Sequence, residues 1–95
     1  LMKVVKNKKY KTAIGIGGTH YCNNFNKINL RTDIAVGIVC PKHSLNSLNE
    51  EFLKNIKVDL AILDWKGLGQ EKERIISLLE EVGLGWKRSD KILKS

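Results

Sequence analysis

Three short runs of uninterrupted apolar residues set the terms on which this chain can fold: TAIGIG at 12–17, DIAVGIVC at 33–40 and VDLAILD at 58–64. A strand with one wet face alternates apolar and polar residues, because successive side chains point to opposite faces. Continuous runs instead suit strands covered on both faces, which is the situation of parallel sheets. Pro41, the only proline, stops the second run because it cannot donate to a strand ladder. Helical patterns separate the runs. Ser47 and Glu50 have the spacing of a capping box, and Leu48, Phe52 and Ile56 then fall on one face of the helix that follows. QEKERIISLLEEV at 70–82 is the clearest helix, with Ile75, Ile76, Leu79 and Val82 as its apolar stripe and Gly83 placed to end it. A further short helix is expected over residues 24–31. Strands alternating with helices predict an α/β fold, a mostly parallel sheet flanked by helices, as one domain over residues 1–95. Three strands make a thin sheet with an exposed edge. The expectation is therefore part of a larger fold, its edge covered by a complementary N-terminal chain or by a second copy.

Composition narrows the function classes. The hydrophobic fraction is 42% and the charged fraction 28%, which favours a folded protein over a disordered one. No apolar run approaches the roughly 20 residues of a membrane helix, and the lysine-rich start LMKVVKNKKYKT has no apolar signal-peptide region. A cytoplasmic protein with no membrane partner is expected. Two cysteines, Cys22 and Cys40, do not make a disulfide framework. The net charge of +7 favours a polyanionic partner, with nucleic acid the first candidate. The charge gathers at the ends: Lys3, Lys6, Lys8, Lys9 and Lys11 at the start, Lys87, Arg88, Lys91 and Lys94 at the finish.

The most informative local segment is GIGGTHYCNNF at 15–25. Paired glycines at the end of a strand allow close approach to the backbone, and open α/β sheets bind ligands outside the carboxyl ends of their strands. His20, Tyr21 and Cys22 follow at once, where a substrate would arrive. The pattern lacks the third glycine of a dinucleotide fingerprint and the Gly-Lys-Ser/Thr of a P-loop. A tight turn with a packed His and Tyr would leave the same trace. His20-x-Cys22 and Cys40-x-x-His43 also supply four nitrogen and sulfur groups at two strand ends, a set that tetrahedral zinc accepts, although the spacing is not that of a zinc finger.

IGIGGTHYCNNF resembles the Gly-Gly-x-His-Tyr segment of the archaeal/plant-type D-aminoacyl-tRNA deacylases. DIAVGIVCPKHSL is similar to the strand and loop that follow it in that family, and LDWKGLGQEKERIISLLEEVGLGW to the C-terminal strand, D-x-K-G-L loop and helix. The resemblance covers the chain from about Lys11 onward and implies a C-terminal portion of a longer fold of the phosphorylase/peptidyl-tRNA-hydrolase type. Two departures stand out. Ile38 follows Gly37 where the family usually has a histidine, and Asn24 stands where a proline is common.

The activity implied is hydrolysis of the ester joining a D-amino acid to the terminal ribose of tRNA, a task of translation quality control. The amides of Gly17 and Gly18 are candidate oxyanion donors, and His20 is the candidate to orient or deprotonate water, its ordinary pKa lying at about 6.5. Thr19 and Tyr21 are expected to touch the substrate, Tyr21 by stacking on the terminal adenine. Lys42 and Lys66 follow the second and third strands and would hold tRNA phosphates. The resemblance implies zinc as cofactor, for which His20, Cys22, Cys40 and His43 are the candidate ligands. The competing expectation, motivated by the charge and by Ile38, is a non-catalytic tRNA- or RNA-binding module of the same fold. A third is a domain that zinc merely stabilises.

Overall fold

The structure, a computed structural model, describes residues 12–18 and 23–94. All three apolar runs form strands: β1 over Thr12–Ile16, β2 over Ala35–Cys40 and β3 over Leu60–Leu63. A fourth strand, β4 over Trp86–Arg88, was not expected from the sequence. The order across the sheet is β2-β1-β3-β4, and every pair is parallel. The β1–β2 ladder shifts register between Ala13 and Ile14.

Helices lie on both faces, as continuous apolar strands require. On one face, α1 (Asn23–Arg31) packs with α5 (Ser89–Lys94). Phe25 and Ile28 of α1 there meet Ala13, Val36, Leu60 and Ile62. On the other face, α2 (Glu50–Asn55) packs with α4 (Lys72–Val82). Ile75 and Leu79 of α4 there join Ile14, Ile16, Ala61 and Leu63 in a second apolar cluster. Neighbouring residues of β1 and of β3 thus divide between two cores, the period-two geometry of a strand expressed in a three-layer molecule. Among the described residues, no helix is long and apolar enough to cross a membrane.

Helix boundaries follow local chemistry, with one correction. Gly83 ends α4 in the left-handed conformation at φ 77, as glycine permits. The helix over 50–55 is not capped by Ser47. A 3-10 segment, Lys42–Ser47, occupies that stretch after Pro41, and Asn49 becomes the cap, its side chain accepting a bond from the Phe52 amide at 2.9 Å. The predicted face shifts accordingly: Leu48 and Leu53 are buried, whereas Phe52 is exposed.

Candidate functional site

Parallel strands place all four carboxyl ends on one edge of the sheet. From β1 the chain moves to β2 on one side, then crosses back to β3 on the other. That reversal is the switch point at which open α/β sheets take ligands. Three loops meet there, and backbone hydrogen bonds lace them together. The Gly17 amide donates to the Cys40 carbonyl at 2.9 Å, the Lys42 amide to the Gly18 carbonyl at 2.7 Å, and the Asp64 amide to the Ile16 carbonyl at 2.9 Å.

Glycine is required at two points of this lacing. Gly17 has φ 97, a backbone conformation that side chains resist, and the space a Cβ would need is filled by Leu68 at 2.9 Å. Gly67, in the short helix α3 (Trp65–Leu68), lies against the Gly17 carbonyl so closely that any Cβ would collide with it. Asp64 caps α3, its carboxylate accepting from the Gly67 amide at 3.4 Å. Gly15 serves packing too: the Phe25 ring lies 2.8 Å from where its Cβ would be. These contacts alter the roles expected of the glycines. The Gly17 N–H is already committed to Cys40, and the bare backbone is used by the protein's own Leu68 and Gly67. Gly17 is therefore a structural residue in this arrangement, not an oxyanion donor.

The two expected lysines come to the same edge but line different cavities. Exposed Lys42 and His43 border a cavity of about 360 Å³ with Asn46, Leu68, Gln70 and Glu71. Exposed Lys66 borders another of about 380 Å³ with Asn24, Asp64, Trp65, Arg88 and Asp90. Thr19, His20, Tyr21 and Cys22 lie outside the described residues, as do the lysines of the first eleven positions.

The second cavity contains groups that sequence reasoning did not single out. Trp65 and Trp86 stack with ring centroids 6.1 Å apart and planes at 11°. The Arg88 guanidinium lies 4.5 Å from the Trp65 ring centroid, and the Lys72 ammonium 5.3 Å from it. Arg88 also holds Asp90 through two parallel bonds of 3.1 and 2.7 Å. The Arg88 hydrogen bond keeps the Asp90 carboxyl below the usual carboxylate range. The tryptophans are far apart in the sequence and meet because β4, which carries Trp86, pairs with β3, just before Trp65. No local pattern announces such a pair.

The zinc set can be tested at its described members. Cys40 is buried in the apolar cluster, and its thiol donates to the Ser44 carbonyl at 3.4 Å. Burial pushes that thiol up, with Arg74 opposing the shift. Zinc takes a thiolate, which such a setting disfavours. His43, by contrast, is exposed on a cavity wall. Among the described residues, no three His, Cys, Asp or Glu side chains gather as a metal site would require. In this arrangement Cys40 is a core thiol, while His20 and Cys22 of the candidate set lie outside the described residues.

Comparison with known proteins agrees with the motifs. The family model described as D-aminoacyl-tRNA deacylase matches residues 1–87. A D-aminoacyl-tRNA deacylase of Methanococcus maripaludis is 37% identical over 91 residues, covering 88% of this chain and 35% of that protein. One from Thermococcus kodakarensis is 38% identical over 89 residues, covering 87% and 33%. One from Methanocaldococcus jannaschii is 37% identical over 92 residues, covering 88% and 35%. A crystal structure described as a conserved protein of unknown function superposes with a TM-score of 0.77 at 29% identity, over 90% of this chain and 32% of that one. The chain thus spans about a third of the length of the relatives it matches. With a model match over nearly its whole length, and with the Gly-Gly and D-W-K-G-L segments laced together at one sheet edge, the chain belongs to the D-aminoacyl-tRNA deacylase family.

Proposed function

We propose that this chain supplies the ester-cleaving edge of a D-aminoacyl-tRNA deacylase, acting on the bond between a D-amino acid and the terminal ribose of tRNA in the cytoplasm. The observation that carries the reading is the meeting of three motif-bearing loops at the switch point, with direct bonds from Gly17 to Cys40, Lys42 to Gly18 and Asp64 to Ile16. The ester is already an activated acyl bond. Its hydrolysis chiefly needs a placed water, a donor for the developing oxyanion and a pocket that reads chirality.

His20, two positions after Gly18, is the proposed base that takes a proton from the attacking water. The oxyanion role, closed to the Gly17 amide, passes to Gly18. One such donor is typically worth roughly 3 kcal/mol of barrier. Thr19 and Tyr21 complete the substrate contacts. Lys42 and Lys66, on the two cavities flanking the seam, meet phosphate oxygens. A complementary N-terminal portion, corresponding to the remaining two thirds of the relatives, or a second copy covers the sheet edge.

The test is release of a labelled D-amino acid from charged tRNA, measured against buffer and against the L-amino acid. The 95-residue chain is assayed alone and with the N-terminal portion of a relative added. Release above background that disappears in His20→Ala is expected. Background rates in both assays would remove the proposal. Ile38 favours a second reading, a binding module without chemistry: it stands half-buried against the core where the family usually carries a histidine. Salt-dependent tRNA binding that survives His20→Ala with no hydrolysis would select it.

A further inference from the structure

The only two tryptophans of the chain are in contact, and two cations, Arg88 and Lys72, lie against the Trp65 ring. Their undersides pack on the core cluster, yet both remain half-buried with part of each ring toward solvent. Arg88, beside the Trp65 ring, forms a wall of two cavities. One is the Lys66 cavity, which reaches Asp64 and Asn24 at the switch point. The other, about 390 Å³, is bordered by Trp86, Lys87 and Arg88 along β4. The sheet order leaves β4 at an edge. A track therefore runs from outside the sheet, along the edge strand, past the indole pair, into the crevice beside the glycine seam.

The charge along this track is positive on balance. Asp64 is engaged in capping α3, and Asp90 is held by Arg88. Lys66 and Lys87, at opposite ends of the track, are exposed, and these two aspartates are the acids on its cavity walls. Flat aromatic rings interleaved with cations are what an unpaired nucleic-acid strand meets: bases stack on the rings and phosphates lie on the cations. The apolar lining is small, the two indoles and Ile92, and lacks the broad apolar face that a docked helix or a membrane-bound segment would need. Edge-strand lysines alone would be explained as protection against sheet-to-sheet pairing. That explanation leaves the indole stack at the cavity wall unaccounted for.

We propose that Trp65, Trp86, Lys66, Lys87 and Arg88 form the track for the unpaired 3′ segment of an RNA, delivering its end to the crevice. The assignment rests on tRNA being the partner, as proposed above, and it adds the surface and the mode of contact.

The tryptophans are their own reporters. The 95-residue chain is titrated with a short single-stranded RNA ending in CCA, and with a blunt hairpin of equal length, while tryptophan fluorescence is followed. Saturable quenching by the single strand, at least about tenfold tighter than by the hairpin, is expected. Trp86→Leu should weaken single-strand binding by about tenfold, a loss that Trp86→Phe partly restores. Lys87→Ala, at an exposed position that does not threaten folding, should lower the slope of log affinity against log salt by about one. Equal binding of both RNAs, or an unchanged salt slope in Lys87→Ala together with unchanged affinity in a folded Trp86→Leu, would overturn the track. The outcomes separate from those of the hydrolase proposal. Quenching without D-amino acid release keeps the track and removes the hydrolase. Release that is indifferent to both substitutions keeps the hydrolase and removes the track.

Discussion

The seam between Gly17 and Gly67 and the stack between Trp65 and Trp86 lie within a few residues of one another, yet they are built on opposite terms. At the seam, two loops touch through backbone, and what matters is the absence of side-chain atoms. At the stack, two large rings touch through their faces, with cations beside them and solvent within reach. The first arrangement tolerates no added atom, because close-packed backbone has nowhere to yield. The second joins half-buried rings, packed on the core from one side, to cation contacts that are individually worth about 1 kcal/mol or less where solvent reaches them. Groups that keep a face toward solvent are the ones that can be committed to a ligand. The seam thus holds shape, and the stack is where the proposed recognition falls.

Substitutions should divide along the same line. The largest effect is expected from Gly67→Ala, which drives a methyl into the Gly17 carbonyl. A loss of about 3 kcal/mol or more in urea unfolding is expected. Gly37→Ala, where nothing lies within 4 Å of the added carbon, is its control and should change stability by less than about 0.5 kcal/mol. If the two variants unfold together, the seam is not what the geometry says. Gly17→Ala comes next, combining a left-handed backbone with the Leu68 contact, for a loss of about 2 kcal/mol.

A smaller effect is expected from pH beside the seam. Burial raises the Cys40 thiol above its ordinary range in the folded chain, so the unfolded chain releases that proton first. Stability should be fully present below the ordinary thiol pKa and decline as pH rises from there toward the raised value. A Cys40→Ala variant should show a shallower alkaline decline, and an identical slope would remove the assignment. The smallest effect belongs to the stack region. Asp90→Asn should leave the melting temperature unchanged at neutral pH within error, because the carboxylate is fully exposed. Its folded pKa is depressed, so whatever the pair contributes is present above the ordinary carboxylate range and lost as pH falls through the lowered value.

The same contrast decides what could be read from the sequence. β1, β2 and β3 were legible because buried parallel strands are written as unbroken apolar runs. The helix ending at Gly83 was legible because its stripe and its stop signal coincide. β4 was not: Trp-Lys-Arg is three residues at a sheet edge, with no apolar run to betray it. The helix cap was misplaced by two positions because Ser47 and Asn49 are both good caps, and the 3-10 segment after Pro41 decides between them. The importance of the glycines was legible, but not its direction. Nothing in GIGG says whether the free space faces a substrate or Leu68. Trp65 and Trp86 escaped notice as a pair because strand pairing brings them together across the sequence.

The lacing of the three loops has a mechanical consequence. Cys40, Gly17, Gly18, Lys42, Asp64 and Gly67 are joined by bonds and contacts that leave no slack, so these residues of the three loops move together. The rim behaves as a single plate, so substitutions in one loop should not combine additively with those in another. Adjustment to a bound molecule is left to whatever approaches the plate, while the plate itself keeps its shape.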